Sequence, residues 1–561
     1  MGKNGEEIRV GVFICHCGTN IGGVVDVPAV TEYAKKLPNV VYAEKNLYTC
    51  SSDGVDSIKR AIWRERLNRV VVAACTPRTH EPLFRKACED AGLNRYIFEF
   101  ANIRDQCSWI HMREPEKATE KSKDLVRMAV AKASLLEPQE EKRVSVEPTA
   151  LIIGGGVSGM NTALNLARQG FEAHIVEKET NLGGMLRRLY KLYPTFVDAQ
   201  EFLHSVIKEV KDEGRIKIWT SATVKNVEGY IGNFDVTIAT EENEEVLKIG
   251  TIIVAIGAQD FKPEGFYHYD GSTVMTQLEL EEKLRKCETE GDFSRLGKRV
   301  VMIQCVGSRG RKFSYCSKIC CTTALKNALV IKDNVPDAEI YILHDGINVY
   351  GEFESMLIEA REKGIRFVKM EAGHEPDVDE DTIVRVYHAN IKKDIEIAAD
   401  LVVLSTPLIS TQEFERISKL LKVPLGPDGF FYEAHVKLRP LDFATDGIYI
   451  CGTAHGPRDI PESIAQALGA SSRASIPMAR GFVVPEAITP VVDDSACVTC
   501  GMCEDNCPYG ALKLGETLEV IDALCKGCGT CVAACPTGAL DQRHFRNSEV
   551  EAQIKNFFSL S

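Results

Sequence analysis

The sequence lacks the features that would place it in a membrane or on nucleic acid. It contains no run of about 18 apolar residues, and its first residues form no apolar signal segment. Its net charge of −13 disfavours polyanionic partners, because nucleic acid and anionic lipid surfaces repel an acidic protein. We therefore expect a cytoplasmic protein that binds neither nucleic acid nor membranes.

Cysteine, by contrast, is abundant, with 20 residues in a chain of 561. Structural disulfides do not persist in a reducing compartment, so these cysteines indicate metal ligands or redox centres. The length is sufficient for about three or four domains. Most of the cysteines fall into three groups, within residues 15–107, 305–321 and 497–535.

The C-terminal group gives the most specific signal. Two runs, 497-CVTCGMCEDNCP-508 and 525-CKGCGTCVAACP-536, share the spacing C-x2-C-x2-C-x3-C-P of bacterial-type ferredoxins with two 4Fe-4S clusters. In this pattern the fourth cysteine of each run binds the cluster of the other run. A zinc ribbon is the alternative, but its cysteine pairs are more widely separated. The predicted ligands are Cys497, Cys500, Cys503 and Cys535 for one cluster, and Cys525, Cys528, Cys531 and Cys507 for the other.

A dinucleotide-binding pattern starts the middle of the chain. In 149-TALIIGGGVSGMNTALNLARQGFEAHIVEK-178 a strand leads into a glycine-rich turn and a helix, and Glu177 lies about 20 residues further on. The pyrophosphate would lie at the helix N-terminus, and Glu177 would bind a ribose hydroxyl. A glycine turn without a ligand is the alternative. Together with NLGGM, IIVAIGAQ and GIYICGTAHG further along, the pattern resembles the thioredoxin reductase and glutathione reductase flavoproteins, which implies FAD. The candidate FAD-binding residues are Gly154, Gly156, Gly159, Glu177, Lys178, Gly184, Met185, Ala255, Gly257 and Gly452.

The N-terminal segment alternates apolar runs with helix-like stretches, which predicts a parallel sheet with helices on its faces. Five cysteines follow its predicted strands, and ligands of open α/β sheets bind at the carboxyl edge where such strands end. Four of the five can hold a further 4Fe-4S cluster, although scattered buried cysteines are the alternative. We expect the ligands Cys17, Cys50, Cys75 and Cys107, with Cys17 preferred over Cys15 because Cys15 still lies within the strand pattern.

A second strand–turn–helix start, KRVVMIQCVGS at 298–308, has cysteines where a phosphate-binding turn is expected. Cys305, Cys316, Cys320 and Cys321 form a C-x10-C-x3-C-C pattern within one loop and helix start, sufficient for a fourth 4Fe-4S cluster. A catalytic dithiol at Cys320 and Cys321 is disfavoured because adjacent cysteines do not close a relaxed disulfide.

These patterns predict an α/β protein built from parallel sheets. Its parts are an N-terminal α/β cluster-binding domain with a helical linker (1–146), a thioredoxin-reductase-like FAD domain (147–290 and 400–485), an inserted second Rossmann-like domain that carries a cluster (291–399) and a C-terminal ferredoxin domain with two 4Fe-4S clusters (486–561). The chain would hold FAD and about four 4Fe-4S clusters.

In this order, the motifs resemble the A-type subunit of heterodisulfide reductase over essentially the whole chain. The motifs are 14-ICHCGTNIGGVVDV-27, 73-AACTPRTHEPLFRKA-87, 102-NIRDQCSWIH-111, 151-LIIGGGVSGM-160, 301-VMIQCVGSRG-310, 316-CSKICC-321 and the two ferredoxin runs. The resemblance implies an iron–sulfur flavoprotein that divides electron pairs between a high-potential and a low-potential acceptor. It also implies that Lys326 lies near flavin N5, where a cation tunes the flavin potentials.

The same resemblance implies partners. These are heterodisulfide reductase B- and C-like subunits, an electron-input protein such as a hydrogenase or formate dehydrogenase, a ferredoxin, and a second copy of the chain. Longer members have an additional ferredoxin-like insertion for which residues 160–304 contain only one cysteine, Cys287. Two other functions stay open: an NAD(P)H-dependent flavin oxidoreductase, and an electron-relay component of another low-potential reductase such as an aromatic-ring reductase.

Overall fold

A computed structural model describes residues 7–371 and 373–558. The chain divides into two compact units, one formed by the residues up to Arg143 together with those from Val484 onward, and the other by Val144–Val483. Residues 1–6, on which the expectation about a signal segment depends, lie outside the described residues. Within the described part of the chain, no helix is both long enough and apolar enough to cross a membrane.

The first unit contains a four-stranded parallel sheet with the strand order β2-β1-β3-β4. The central strands β1 and β3 are buried along their whole length, as expected for parallel strands covered on both faces. Its elements are β1 (Val10–Cys15), α1 (Val27–Ala34), β2 (Val40–Asn46), α2 (Ser52–Arg64), β3 (Arg69–Ala74), α3 (Pro77–Asp90), β4 (Phe98–Asn102) and α4 (Pro115–Ala133).

The second unit begins with a five-stranded parallel sheet of order β10-β7-β6-β14-β25. Helices α5 and α11 pack on one face, and the antiparallel meander β11–β13 packs on the other. The elements up to the second sheet are β5 (Val144–Ser145), β6 (Thr149–Ile153), α5 (Val157–Arg168), β7 (Glu172–Val176), β8 (Lys191–Leu192), β9 (Val197–Asp198), α6 (Ala199–Asp212), β10 (Ile216–Trp219), β11 (Thr223–Tyr230), β12 (Asn233–Ala239), β13 (Glu244–Ile249), β14 (Thr251–Val254) and β15 (Gln259–Asp260).

The same plan is repeated in a second parallel sheet of order β16-β23-β17-β18-β19. Helices α7, α8 and α9 cover one face, and the meander β20–β22 covers the other. Its elements are β16 (Val274–Thr276), α7 (Gln277–Glu290), β17 (Arg299–Ile303), α8 (Cys320–Asn334), β18 (Glu339–His344), α9 (Glu354–Glu362), β19 (Arg366–Lys369), β20 (Asp377–Val378), β21 (Ile383–His388), β22 (Lys393–Ala398) and β23 (Leu401–Leu404).

The first and last of these elements extend the second sheet beyond the predicted range 291–399. The sequence signal for β16 is weak, since the strand has only three residues. The chain then returns to the first sheet of this unit through β24 (Leu408–Ile409), α10 (Gln412–Leu421), β25 (Ile448–Ile450), α11 (Ile460–Arg480) and β26 (Phe482–Val483). The exact domain limits stay a prediction.

The C-terminal tail belongs to the first unit and is held by contacts with α4. Its elements are β27 (Pro490–Val492), α12 (Met502–Asp505), β28 (Leu512–Leu514), β29 (Leu518–Val520), α13 (Thr530–Ala534), β30 (Leu540–Gln542) and α14 (Asn547–Phe558). The Lys132 amine pairs with the Glu99 carboxylate at 2.8 Å, and His544 of the tail lies 3.3 Å from the same carboxylate. Arg127 also donates to the carbonyl oxygen of Asn556 at 2.6 Å.

Candidate functional site

A cavity of about 660 Å³ lies in the unit Val144–Val483, within the range usual for cofactor sites. It extends from the glycine turn after β6 to the first turns of α8 and α11. Most of the residues that the sequence assigns to FAD line it, namely Gly154, Gly156, Glu177, Lys178, Gly184, Met185, Ala255 and Gly257, together with Lys326. Gly159 and Gly452 are not among the lining residues.

Three glycines in and just after the turn that follows β6 are each needed for a different steric reason. Gly154 has a φ of +111°, and a Cβ there would lie 2.4 Å from the carbonyl oxygen of Ala255. A Cβ on Gly159 would lie 1.9 Å from the carbonyl oxygen of Gly154, so this residue permits close packing of the turn on α5. A Cβ on Gly156 would meet nothing within 4 Å and would project into open space beside the cavity. These are the turn, packing and ligand-approach roles of a dinucleotide-binding loop.

The Glu177 carboxylate closes this loop from the end of β7. One of its oxygens accepts from the backbone N–H of Gly155 at 2.7 Å, and the other accepts from the backbone N–H of Glu179 at 2.9 Å. Each carboxylate oxygen can accept a second hydrogen bond, so the group can also bind a ribose hydroxyl. Gly156 is the N-cap of helix α5 and has no side chain to cap it, which leaves the first N–H groups of the helix available to a pyrophosphate.

The other end of the cavity contains a buried ion pair. Lys326 of α8 and Glu281 of α7 are in contact, and only 1% and 2% of their side chains are exposed. Burial lowers the pKa of Lys326, while the adjacent Glu281 carboxylate opposes that shift. The backbone N–H of Tyr190 donates to the second Glu281 oxygen at 2.8 Å. The pair therefore fixes a lysine amine at the wall of the cavity.

The cysteines of the second sheet converge at the start of α8. Burial is the main cause that raises the pKa of Cys320, and the charges of Cys321, Cys305 and Cys316 raise it further. Four thiols this close do not ionise together unless positive charge is supplied, and iron ions supply it. The set therefore fits a metal cluster. Cys320 also lines the large cavity, so this residue belongs to both sites.

The N-terminal cysteines also converge, and three of the four predicted ligands, Cys17, Cys50 and Cys75, lie together. Burial raises the pKa of Cys17, and the nearby thiols of Cys15, Cys75 and Cys50 raise it further. The thiol of Cys107 points away, because it donates to the carbonyl oxygen of Ala118 on α4 at 3.0 Å and is fully buried there. The convergent set therefore includes Cys15 and does not include Cys107.

A buried polar atom without a partner lies beside this N-terminal set. Within the described residues, the hydroxyl of Thr49 makes no hydrogen bond although the residue is fully buried. Its backbone N–H donates to the Cys15 sulfur at 3.4 Å, and the next residue is Cys50. A cluster bound to these thiols would give the hydroxyl an acceptor, so the residues present fit one.

The tail forms two small cavities, each surrounded by one of the predicted quartets. Cys497, Cys500, Cys503 and Cys535 line one of them, and Cys507, Cys525, Cys528 and Cys531 line the other. The fourth cysteine of each run thus crosses to the other quartet. Within the part of the chain that the structure describes, no three acidic, histidine or cysteine side chains are arranged around a single metal ion. A four-iron cube spreads its ligands more widely than one ion does.

Several cavity residues have no motif in the sequence. Tyr193 lines the cavity, and burial raises its pKa well above the ordinary value. Asp459 caps α11 by accepting from the backbone N–H of Glu462 at 2.8 Å, and burial raises the pKa of its carboxyl. Glu281 is the acid that pairs with Lys326, 45 residues away in the chain. The only sequence signal for Glu281 is a charged residue on the apolar face of α7.

Comparison with known proteins gives two family matches. Residues 148–470 match the family described as Pyridine nucleotide-disulphide oxidoreductase, and residues 496–539 match the family described as 4Fe-4S dicluster domain. These matches confirm the predicted fold class and both cofactor types, FAD and 4Fe-4S clusters.

Two curated relatives align along nearly the whole chain. The A-type subunit of the H(2):CoB-CoM heterodisulfide,ferredoxin reductase of Methanothermobacter thermautotrophicus is 41% identical over 98% of this chain and 97% of the relative. The first of two A-type iron–sulfur subunits of the CoB--CoM heterodisulfide reductase of Methanopyrus kandleri is 40% identical over 91% of each chain. The first alignment extends over 643 positions, more than the 561 residues of this chain, so that relative contains residues absent here.

Among solved structures, thioredoxin reductase of T. acidophilum is 17% identical and matches 59% of this chain and 98% of its own, with a TM-score of 0.41.

Proposed function

The chain belongs to the family of A-type heterodisulfide reductase subunits and is an oxidoreductase, and from this premise we propose that it is the component in which electron pairs are divided. One electron of each pair would pass to a high-potential acceptor and the other to a low-potential, ferredoxin-like acceptor. FAD would supply the two-electron to one-electron chemistry when bound.

One observation carries this proposal: the flavin cavity and the cysteine set of the second sheet share a wall. Cys320 lines the cavity. It also lies close enough to Cys305, Cys316 and Cys321 for their charges to raise its pKa. Lys326 lines the same wall less than two helical turns further along α8. A single helix thus presents a cluster ligand and a tuning lysine to the flavin site.

The second sheet supports this function over a nicotinamide-dependent one. A nucleotide would approach the turn after β17, and the cysteine set lies in this turn and the following helix start. Asp345 follows β18 at the position where an acid would bind the ribose, but its carboxylate lies 3.5 Å from the guanidinium of Arg309. Gly307 is one of the glycines left in the turn, and a Cβ there would lie 2.9 Å from the ring of Phe261. This glycine therefore packs against the protein and does not face a space for a phosphate.

The clusters held by the N-terminal and tail cysteines would transfer electrons to and from partner proteins. We propose Cys15, Cys17, Cys50 and Cys75 as ligands of the N-terminal cluster, and the two quartets of the tail as ligands of the ferredoxin pair. Membership of the family implies partners of a heterodisulfide reductase complex. The specific partners we propose are B- and C-like subunits, a hydrogenase or formate dehydrogenase as electron input, a ferredoxin and a second copy of the chain.

Anaerobic rapid mixing tests the proposal. Purified full-length chain is mixed with NADH, with NADPH and with a low-potential chemical reductant, and flavin absorbance is followed. We expect the flavin to stay oxidised with both nicotinamides and to bleach with the low-potential reductant. Flavin reduction by either nicotinamide at rates of about 10 s⁻¹, a typical enzymatic turnover, would instead establish an NAD(P)H oxidoreductase.

A second measurement separates division of electron pairs from simple relay. Flavin potentials are determined by anaerobic redox titration of the same protein. Division requires the first one-electron reduction of the flavin to be much harder than the second, so that the two potentials are crossed. Two widely separated potentials in the uncrossed order would identify the chain as a relay.

A further inference from the structure

We infer that Gln304, Arg309 and Asn348 form a shell of hydrogen-bond donors around the cysteine set of the second sheet, and that this shell makes the cluster held there easier to reduce. The inference rests on the proposed function, because it needs a cluster at Cys305, Cys316, Cys320 and Cys321. None of the three residues belongs to that ligand set. They act on the cluster through its sulfur atoms and are therefore positioning residues.

Gln304 is the buried member of the shell. It is 1% exposed, and neither its side-chain nitrogen nor its side-chain oxygen has a hydrogen-bond partner among the described residues. An unpaired buried amide costs about 1–3 kcal/mol, so such a group calls for a missing partner. The residue directly precedes Cys305, which is a candidate ligand.

The face of the sheet indicates where the Gln304 amide points. Side chains alternate along a strand, so Gln304 shares a face with Met302. Met302 belongs to the same hydrophobic core as Leu325 and Ala328 of α8, the helix whose first turn contains Cys320 and Cys321. Gln304 does not line the large cavity. Its amide is therefore placed on the helix side, where a cluster sulfur could accept its N–H.

Arg309 supplies the positive charge of the shell. Its guanidinium lies near the thiol of Cys305, where its positive charge opposes the larger effect of burial, which raises the pKa of Cys305. The same guanidinium donates to the backbone carbonyl oxygen of Asp345. Arg309 therefore connects the loop after β17, which contains the candidate cluster ligand Cys305, with the loop after β18.

Asn348 reaches two ligands from that second loop. Its backbone N–H donates to the sulfur of Cys321 at 3.4 Å, and its side-chain amide nitrogen lies 3.9 Å from the sulfur of Cys316. In a nucleotide-binding domain, the ends of the first two strands bind phosphate and ribose. Here the loop after the second of these strands donates hydrogen bonds to cysteine sulfurs instead.

The direction of the effect follows from charge. A reduced cluster carries one more negative charge than an oxidised one, so hydrogen bonds to its sulfurs and a nearby cation stabilise the reduced form more. The shell therefore raises the reduction potential of the cluster. A cluster that is easier to reduce is better placed to take an electron from a flavin whose cavity shares the wall at Cys320.

Redox titration followed by electron paramagnetic resonance tests the inference on the full-length, anaerobically purified chain. The signal of this cluster is first identified as the one that Cys316→Ser alters. We then expect Gln304→Leu, Arg309→Met and Asn348→Ala each to lower the midpoint potential of that signal. For Arg309→Met, which removes both a charge and a donor, a tenfold change in the equilibrium constant corresponds to about 59 mV for a one-electron couple.

Controls distinguish the shell from a structural effect. Asn390→Ala, at an exposed residue between β21 and β22, should leave every potential unchanged, and Arg309→Lys should keep part of the effect because it keeps the charge. Iron and flavin contents are measured in each variant. Potentials equal to the parent in all three shell variants with full iron would overturn the inference. If Cys316→Ser changed no signal and no iron content, the cluster itself, and with it the proposed route, would be absent.

Discussion

The two parallel sheets of the unit Val144–Val483 follow one plan, with helices on one face and a three-stranded meander on the other. They differ in the connection that follows two equivalent strands, β6 in the first sheet and β17 in the second. After β6 the chain needs only the three glycines 154–156 to enter α5. After β17 it uses residues 304–319 before α8 begins. The short turn leaves space for a phosphate, whereas the long one places thiols in that position.

Helix caps show the same difference at finer scale. Helices α5 and α8 begin without a side-chain cap, while α7 and α11 have full capping boxes at Thr276 and Asp459. Helices α9 and α10 also begin without a side-chain cap, but α5 and α8 are the two uncapped helices that would meet pyrophosphate or cysteine sulfurs. At these two helices the missing cap is a local cost that a bound anion offsets.

Among the substitutions that test this comparison, Gly156→Val is expected to have the largest effect, on the amount of bound flavin. A Cβ at this position would meet nothing within 4 Å, and a valine side chain would occupy the space that a pyrophosphate needs. Because Gly156 has φ −73° and ψ −175°, valine is tolerated by the backbone. We expect complete loss of bound flavin with unchanged iron content, measured by absorbance and iron analysis.

Gly214→Val is the matched control. A Cβ on Gly214 also meets nothing within 4 Å, and the residue lies outside the lining of the cavity. This variant should keep its flavin. Retention of full flavin by Gly156→Val would mean that the dinucleotide does not approach this turn.

Replacement of N-terminal cysteines should have the next largest effect. Cys15→Ser should remove one cluster of about four, which is about four irons per chain, because Cys15 lies within the convergent set. Cys107→Ser should keep its iron, since the thiol of Cys107 donates to α4 instead. Iron analysis of both variants decides between them. Loss of iron in Cys107→Ser alone would restore the ligand set that the sequence predicts.

Where candidate ligands are close in sequence, the sequence is sufficient to predict which cysteines lie together. The spacing of Cys497 to Cys503 and of Cys525 to Cys531 leaves little freedom, and the two tail cavities are lined as the spacing predicts. Cys107 shows the limit of this reasoning. It follows β4 as a ligand should, but a short helical turn directs its sulfur into the core against α4, and no spacing encodes that rotation.

Breaking the Lys326–Glu281 ion pair should have an effect of intermediate size on the stability of the protein. Lys326→Met would leave the buried Glu281 carboxylate without its partner, which costs about 3–5 kcal/mol. Thermal denaturation followed by flavin fluorescence should show a lower midpoint. The double variant Lys326→Met with Glu281→Leu should recover most of it, because an apolar pair replaces the ion pair.

Lys332→Met controls for the loss of a lysine from the same helix. Lys332 is partly exposed and donates to the carbonyl oxygen of Pro336 in a solvent-exposed hydrogen bond, so its replacement should change the midpoint little. A double variant as unstable as Lys326→Met would show that the lysine acts through contacts other than Glu281. Such a partner, 45 residues away, is set by the packing of α7 on α8, which explains why the sequence does not reveal it.

The smallest expected effect concerns the cap of α7. The hydroxyl of Thr276 accepts from the backbone N–H of Glu279 at 3.3 Å, and the Glu279 carboxylate accepts from the backbone N–H of Thr276 at 2.8 Å. Thr276→Ala should therefore cost about 1 kcal/mol of stability. Flavin and iron contents should not change, because Thr276 itself is not among the residues that line the flavin cavity. Thr289→Ala, at an exposed threonine on the same helix that donates to the Arg285 carbonyl oxygen, should cost less than about 0.5 kcal/mol. If Thr276→Ala also reduced flavin or iron content, a capped helix start would matter for cofactor binding, and the contrast between capped and uncapped helices would fail.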